Sequence, residues 1–168
     1  MLNGIGFRLA VPIDHADILA FQRAAVAGVG CGHYTGKELA AWYCCPAPGL
    51  AELIWSGRYL LALEGWRPVG GAGWEPAGPG AGRVRAVFVH PDHAGRGIGR
   101  ALMERVEVAM AAAGLVEAVV PALIEAVPFY RSLGYREVGD GCFDLAGVSL
   151  AYRILRKPLE AGAAALAA

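Results

Sequence analysis

The chain has 168 residues, 56% of them apolar, and a formal net charge of zero from 15 basic and 15 acidic side chains. A chain of that length suits one domain around one core, and its balanced charge gives no general attraction to nucleic acid or to an anionic membrane. No apolar run reaches the roughly eighteen residues that span a bilayer, and the N-terminal stretch lacks the basic region and long apolar core of a signal peptide, so a cytoplasmic protein is expected.

Cys31, Cys44, Cys45 and Cys142 form no recognisable framework and are expected as free thiols. Paired Cys or His ligands at short spacing are absent, so no metal is expected.

In chain order, residues 6–11 read as a strand with Phe7, Leu9 and Val11 on one face, ended by Pro12. Asp14 then caps a helix that carries Ile18, Leu19 and Phe21 and breaks at the glycines of residues 28–32. Thr35 is an N-cap with Glu38 three residues on, a capping box. The helix it opens runs to Pro46, with Trp42 expected in the core and Tyr34 packed ahead of the cap. His33 is left open between a pocket role and none. Residues 50–55 form a short helix and residues 58–63 a strand, followed by a turn at Glu64 and Gly65. Residues 68–75 pair with that strand although Gly70, Gly71, Ala72 and Gly73 are poor strand formers. Such a run marks either a close approach of backbone or a mobile strand.

The next stretch is the most informative. Val84, Val87, Phe88 and Val89 make residues 83–90 a largely buried strand, and Pro91 ends its ladder. The loop that follows reads Asp92, His93, Ala94, Gly95, Arg96, Gly97, Ile98, Gly99, and a helix begins at once. Ile98, Leu102, Val106, Ala109 and Ala113 form its apolar stripe, and Gly114 is its C-terminal cap. A glycine turn entering a helix points several unpaired N–H groups one way, and the helix dipole adds partial positive charge. Arg96 and Arg100 can add full charges. This is an anion site whose best match is a phosphate or pyrophosphate; the alternative is a glycine-rich connection with no ligand. The ATPase phosphate loop is excluded, because Arg100 and Ala101 stand where it needs Lys and then Ser or Thr. The dinucleotide fingerprint is excluded too, because Arg100 stands where it needs a third glycine.

Residues 115–120 form a strand parallel to the one before, joined by the right-handed crossover helix, and Pro121 interrupts it. A helix is expected over 123–133, closed by Gly134, then a strand over 135–138, a turn over 139–141 and a returning strand over 148–155. Residues 160–168 are almost all alanine, read as a frayed helix or a disordered end without a chemical role. The organisation is one domain over 1–156 with an alanine-rich tail over 157–168. Its pattern is a meander feeding a βαβ unit rather than a doubly wound sheet.

Two segments carry a family resemblance. Val87 to Pro91, with Gly97 and Gly99, is similar to the strand exit and acetyl-CoA loop of the Gcn5-related N-acetyltransferases. About thirty residues on, Ala126, Val127, Pro128, Phe129, Tyr130, Arg131, Ser132, Leu133, Gly134 and Tyr135 resemble that family's later helix and its step into the next strand. The chain departs from the pattern at Ala94, where the family has Arg or Gln, and at Leu123, where it often has Asn.

The resemblance implies an α/β fold of the acyl-CoA N-acyltransferase type: a mixed central sheet with splayed central strands and flanking helices. It implies acetyl-CoA as acyl donor, held by Val87, Phe88, Val89, Ala94, Gly95, Arg96, Gly97, Ile98, Gly99 and Arg100. Val87 and Val89 would offer backbone to the pantetheine arm, and the N–H of Val87 or Phe88 would face the thioester oxygen. Tyr130 matches the family's tyrosine acid. The base is not identified by any motif. Glu75 is the first choice, with Glu52, His33 and His90 behind it, and a water chain with no single base is an equal alternative. The acceptor is a small-molecule or protein amine, mildly polar or apolar rather than polycationic, and the resemblance allows a homodimer. The rival reading is a non-catalytic acyl-CoA-binding or regulatory module of the same fold.

Overall fold

The computed structural model describes residues 4–30 and 32–160. Strand β1 (Ile5–Leu9) leads through a short 3-10 turn (Pro12–Asp14) to α1 (His15–Ala27), α2 (Gly36–Cys44) and α3 (Leu50–Trp55). The meander β2 (Tyr59–Glu64), β3 (Arg67–Pro76) and β4 (Ala81–Val89) follows, then α4 (Ile98–Ala112), β5 (Glu117–Leu123), α5 (Val127–Ser132) and the hairpin β6 (Arg136–Leu145) and β7 (Val148–Pro158). The strands form one sheet in the order β1-β2-β3-β4-β5-β7-β6. All neighbours are antiparallel except β4 and β5.

The sheet is covered on both faces. On one, α4 buries Ile98, Leu102, Met103, Val106 and Met110 against Val84 of β4 and Ala118, Val120 and Ala122 of β5. On the other, Ile18 and Phe21 of α1 and Leu53 and Ile54 of α3 pack on Tyr59, Leu61 and Leu63 of β2. The α4 stripe turns away from the expected one at its C-terminal end: Met110 faces the sheet while Ala109 and Ala113 are exposed.

Local signals place several elements as expected. Thr35 and Glu38 form the reciprocal capping box that opens α2, and α3 spans residues 50–55. Other expectations are corrected by the partners that the fold supplies. Strand β1 stops at Leu9, and Val11 lies outside it. Asp14 does not cap α1 with its side chain; its carboxylate takes the N–H of Val11 and the guanidinium of Arg8. Strand β5 runs through Pro121 to Leu123, paired throughout with β7. Its β4-side edge has no partner beyond Val119, and an open edge is where a strand accommodates a residue without an N–H. The helix expected over 123–133 is shorter, a 3-10 turn (Ile124–Ala126) and then α5. The last hairpin is longer than expected. Its turn lies at Ala146 and Gly147, both left-handed at φ 53° and 82°, and a register shift between Glu137 and Gly139 absorbs the expected glycine turn into β6.

The glycine run in β3 is a close approach, not a loose strand. It pairs with β2 and β4 on its two edges, and a Cβ on Gly71 would lie 2.6 Å from the ring of Tyr59, one on Gly73 2.8 Å from it. The Tyr59 ring occupies the space those side chains would need. The alanine-rich end over 161–168 and Cys31 lie outside the described residues, whereas Cys44, Cys45 and Cys142 are free thiols. Among the described residues no helix is long and apolar enough to cross a membrane.

Candidate active site

Strands β4 and β5 are the parallel pair at the centre of the sheet, and they bond for only three residues: Ala81 with Glu117, Gly82 with Ala118, Arg83 with Val119. Beyond that they separate, and a cleft of about 760 Å³ opens between them.

A bulge in β4 shapes one wall. Gly71 pairs with Phe88 and Gly73 with Arg85, so Ala86 and Val87 together face the single residue Ala72. Two residues opposite one is a bulge, which bends the strand and re-aims its side chains. Ala86 carries the bend at φ 52°. Its carbonyl oxygen accepts from the Tyr59 hydroxyl at 3.0 Å, and that hydroxyl accepts from Gln22 Nε2 at 3.0 Å.

The bulge also decides which backbone groups are free. The N–H of His90 donates to the carbonyl of Val69 at 2.8 Å. In an antiparallel ladder the direction of bonding alternates, so Phe88, two residues earlier, also bonds toward β3. Val89 then presents its N–H and C=O groups to the cleft, as does the C=O of Val87; the Val87 N–H points opposite to the Ala86 carbonyl of the same trans peptide, which is turned to Tyr59. Of the two residues considered for an oxyanion contact, Phe88 has its N–H committed to β3 and Val87 does not.

Side chains alternate correspondingly. Val84, Val87 and Val89 pack toward α4, while Ala86 and Phe88 pack toward α1 and α3. Arg85 lies on that second face as well, where its Nη2 donates to the carbonyl of Pro48 at 2.7 Å.

At the far end of β4 the chain turns through Gly95 (φ 74°) and Gly97 (φ 80°) into α4. Gly97 is the left-handed N-cap, and the first bond of the helix runs from Ala101 N–H to its carbonyl at 3.1 Å. The N–H groups of Ile98, Gly99 and Arg100 therefore have no partner within the helix, and they lie at the positive end of the dipole of a 15-residue helix. Gly99 has a steric duty too: a Cβ there would meet the Phe129 ring at 3.2 Å. The glycine loop and the Phe129–Tyr130 pair are thus in contact.

The two arginines of the loop are held by neighbours. Arg96 donates to Glu64 Oε1 at 2.9 Å, and Arg100 reaches the carbonyl and hydroxyl of Ser132 at 3.3 and 3.4 Å. His93 joins Glu64 at 3.0 Å, and His93 and then Arg96 hold the Glu64 carboxyl below its ordinary range. Ala94 offers no polar contact.

Tyr130 lines the cleft from α5. Its ring meets Phe129 and Tyr135 edge-on, at 5.0 and 5.7 Å between centroids. Burial pushes the phenol up from its ordinary value, and no hydrogen bond offsets that. Such a group keeps its proton at neutral pH.

Glu75 is not brought to Tyr130. It is off the cleft lining, and its Oε1 accepts from Arg85 at 2.6 Å and from Arg83 at 3.4 Å. Glu52 and His90 are also off that lining. His33 is exposed, and its backbone N–H and ring Nδ1 both contact Glu125 Oε1, at 3.1 and 3.2 Å.

The cleft has residues that sequence reasoning passed over. Glu125 is one: it sits on the turn just before α5 and lines the cleft. Its signal was weak, a carboxylate inside a segment read as ordinary helix. Trp42, expected in the core, is half-buried, lines the cleft and faces Phe88 at 6.0 Å. Phe143 and Tyr152 of the last hairpin stack at 4.4 Å on the same lining. Among the described residues no group of three His, Cys, Asp or Glu side chains could hold a metal ion.

Comparison with known proteins adds an independent line. The family model described as an acetyltransferase (GNAT) domain matches residues 55–137. The uncharacterized N-acetyltransferase YjcF of Bacillus subtilis (strain 168) is 31% identical over 97 residues, 58% of this chain and 69% of that protein. Among solved structures, a GCN5-related N-acetyltransferase from Rhodopseudomonas palustris superposes with a TM-score of 0.81 at 25% identity, covering 95% of this chain and 98% of the other. The PaiA N-acetyltransferase of Thermoplasma acidophilum, solved with coenzyme A, superposes at 0.73 with 17% identity over 92% and 98% of the two chains. The yncA protein of Salmonella typhimurium, solved with its cofactor acetyl-CoA, does so at 0.65 with 21% identity over 93% and 94%.

Proposed function

The chain belongs to the Gcn5-related N-acetyltransferase family, and from that premise we propose that it moves an acetyl group from acetyl-CoA directly to an amine held between β4 and β5. The observation that carries the reading is the run of open backbone along the cleft. Unpaired groups of Val87 and Val89 lead to the unpaired N–H groups at the start of α4, and Tyr130 stands on the opposite wall.

The donor fits these groups. Amide-bearing pantetheine would bond to the backbone of Val87 and Val89 as an added strand. Its pyrophosphate would take the N–H groups of Ile98, Gly99 and Arg100, with Gly95 and Gly97 keeping the approach open. Ala94 and Leu123 supply no polar side chain to this array, so backbone carries the recognition. The bound thioester supplies an activated acyl carbon.

The chain's residues do the rest. The N–H of Val87 is aimed where negative charge develops on the thioester oxygen, and such fixed donors act without reorganising. Tyr130 holds a proton for the departing sulfur. Glu75 is committed to Arg83 and Arg85 and serves to hold them. The ammonium proton leaves through water in the open cleft toward Glu125, whose Oε1 takes His33 and whose other oxygen has no hydrogen-bond partner among the described residues.

Calorimetric titration with acetyl-CoA, desulfo-CoA and ADP, on wild type and Gly97→Glu, tests this. Binding of both CoA species to wild type and none to the variant is expected, because a carboxylate would stand in the anion site. Folded protein that binds no CoA species would overturn the reading.

A further inference from the structure

The part of the cleft left to the acceptor has a chemistry of its own. With the donor along Val87 and Val89, the acceptor enters from the face of β4 that carries Arg85 and Phe88. Besides Tyr130, the aromatic rings on the lining form two packed pairs: Trp42 with Phe88, and Phe143 with Tyr152. Aromatic walls of this kind accept a flat or branched apolar group.

The charges on the lining are Arg83, Arg85, Glu125 and Asp144. Asp144 is used by the hairpin, where its Oδ1 accepts the N–H of Gly147 at 2.7 Å. Glu125 lies at the Leu123 end, five residues before Tyr130. Arg83 lies at the closed end, in the last β4–β5 pair, and Arg85 two residues on, where the strands have begun to part. A single carboxylate, Glu75, faces both guanidinium groups and is itself off the lining. The three groups together keep one positive charge. Arg85 commits one N–H to Glu75 and one to the Pro48 carbonyl, which leaves three of the five a guanidinium has. Those two bonds also fix its plane, and its side chain is only 25% exposed. A fixed, half-buried guanidinium is suited to receive a carboxylate.

We infer that the acceptor is an amine that carries its own carboxylate and an apolar or aromatic group, an amino-acid-like molecule, with Arg85 taking the carboxylate. This rests on the acetyltransferase reading above. The ammonium loses one proton through water toward Glu125, and the resulting amine attacks the acyl carbon. The new C–N bond forms as the C–S bond breaks, Tyr130 gives its proton to the departing sulfur, and the second proton of the nitrogen leaves through water, from which the phenolate is reprotonated. Arg83 and Arg85 repel a polycation, so polyamines and lysine-rich tails are poor fits.

Matched pairs test it: phenylalanine against phenethylamine and leucine against isopentylamine, with spermidine as the polycation, in an assay of free CoA release with excess acetyl-CoA. We expect wild type to favour the acid of each pair at least tenfold in kcat/KM and to use spermidine worst. Arg85→Gln should shrink that preference at least tenfold, chiefly through a raised KM for the acid. A merely structural arginine would lower both members of a pair alike. Glu75→Gln, which unmasks the arginines, should lower KM for the acids and keeps the test sharp if Arg85→Gln does not fold. Equal use of acid and amine, preference for spermidine, or acetyl-CoA binding with no turnover of either acid would each overturn the acceptor class. The acetyltransferase reading would survive those results and falls only if acetyl-CoA does not bind.

Discussion

The hydroxyl of Tyr59 donates to the carbonyl oxygen of Ala86 across 3.0 Å, from the second strand to the bulge of the fourth. Ala86 is left-handed at φ 52°, a conformation that costs an L-residue about 1–2 kcal/mol, so the bulge needs support. Tyr59 and Gln22 supply it from inside the core. Tyr59→Phe strands the Ala86 carbonyl and the Gln22 amide, at a cost of about 1–3 kcal/mol. In a chain this size that is a few degrees of thermal midpoint. Acetyl transfer should fall with it, because the bulge aims Val87. An unchanged melting curve and rate would mean that the bulge holds itself.

The same ring explains the glycines of β3. A methyl at Gly71 would sit 2.6 Å from Tyr59, and neither the ring nor the paired strand has room to yield. Gly71→Ala should destabilise by about 1–3 kcal/mol, as overpacking does. A urea melt reads it. In the background of Tyr59→Leu, where the ring is gone, the same substitution should cost clearly less.

Tyr130→Phe separates catalysis from binding. The phenol lines the cleft, is pushed up by burial and has no hydrogen-bond partner among the described residues. Removing the hydroxyl should lower kcat by about 10²-fold, the low end for a lost general acid, while calorimetry still shows acetyl-CoA binding. A rate within threefold of wild type would remove Tyr130 from the mechanism and favour water as the proton donor.

Acid sensitivity should trace in part to Asp14. Two bonds from Arg8, at 2.7 and 2.8 Å, and the N–H of Val11 at 2.8 Å hold its carboxyl below the usual carboxylate range. A folded value below the unfolded one, about 3.9, gives stability that is present above that pH and is lost as pH falls through the folded value. The gap in urea midpoint between wild type and Asp14→Asn should therefore be wide at pH 7 and narrow toward pH 3. A gap independent of pH would show that the carboxylate acts by shape alone.

Some of this was legible in order along the chain. The Thr35–Glu38 cap, the glycine turn at Gly95 and Gly97, the α4 helix and the Phe129–Tyr130 segment depend on neighbours a few residues away, so residue type and spacing carry them. The pairing of the two motifs was also legible, and contact between Gly99 and Phe129 gives it a steric reason.

The sheet decided the remainder. Nothing near Pro121 says that its strand edge is open; that follows from the parting of β4 and β5 after Arg83 and Val119. The length of the last hairpin was hidden because β7 pairs with both β5 and β6, which holds glycines 139 and 141 extended where local propensity favours a turn. Glu75 was chosen as base by element order; that antiparallel register sets it opposite Arg83 and within reach of Arg85 was not legible. Trp42, Glu125 and Arg85 became cleft residues only when three separate segments were folded onto one gap. A sequence fixes the hydrogen-bonding and turning habits of a few adjacent residues; which side chains face a shared cavity depends on register between strands far apart in the chain, and that is settled only when the core packs.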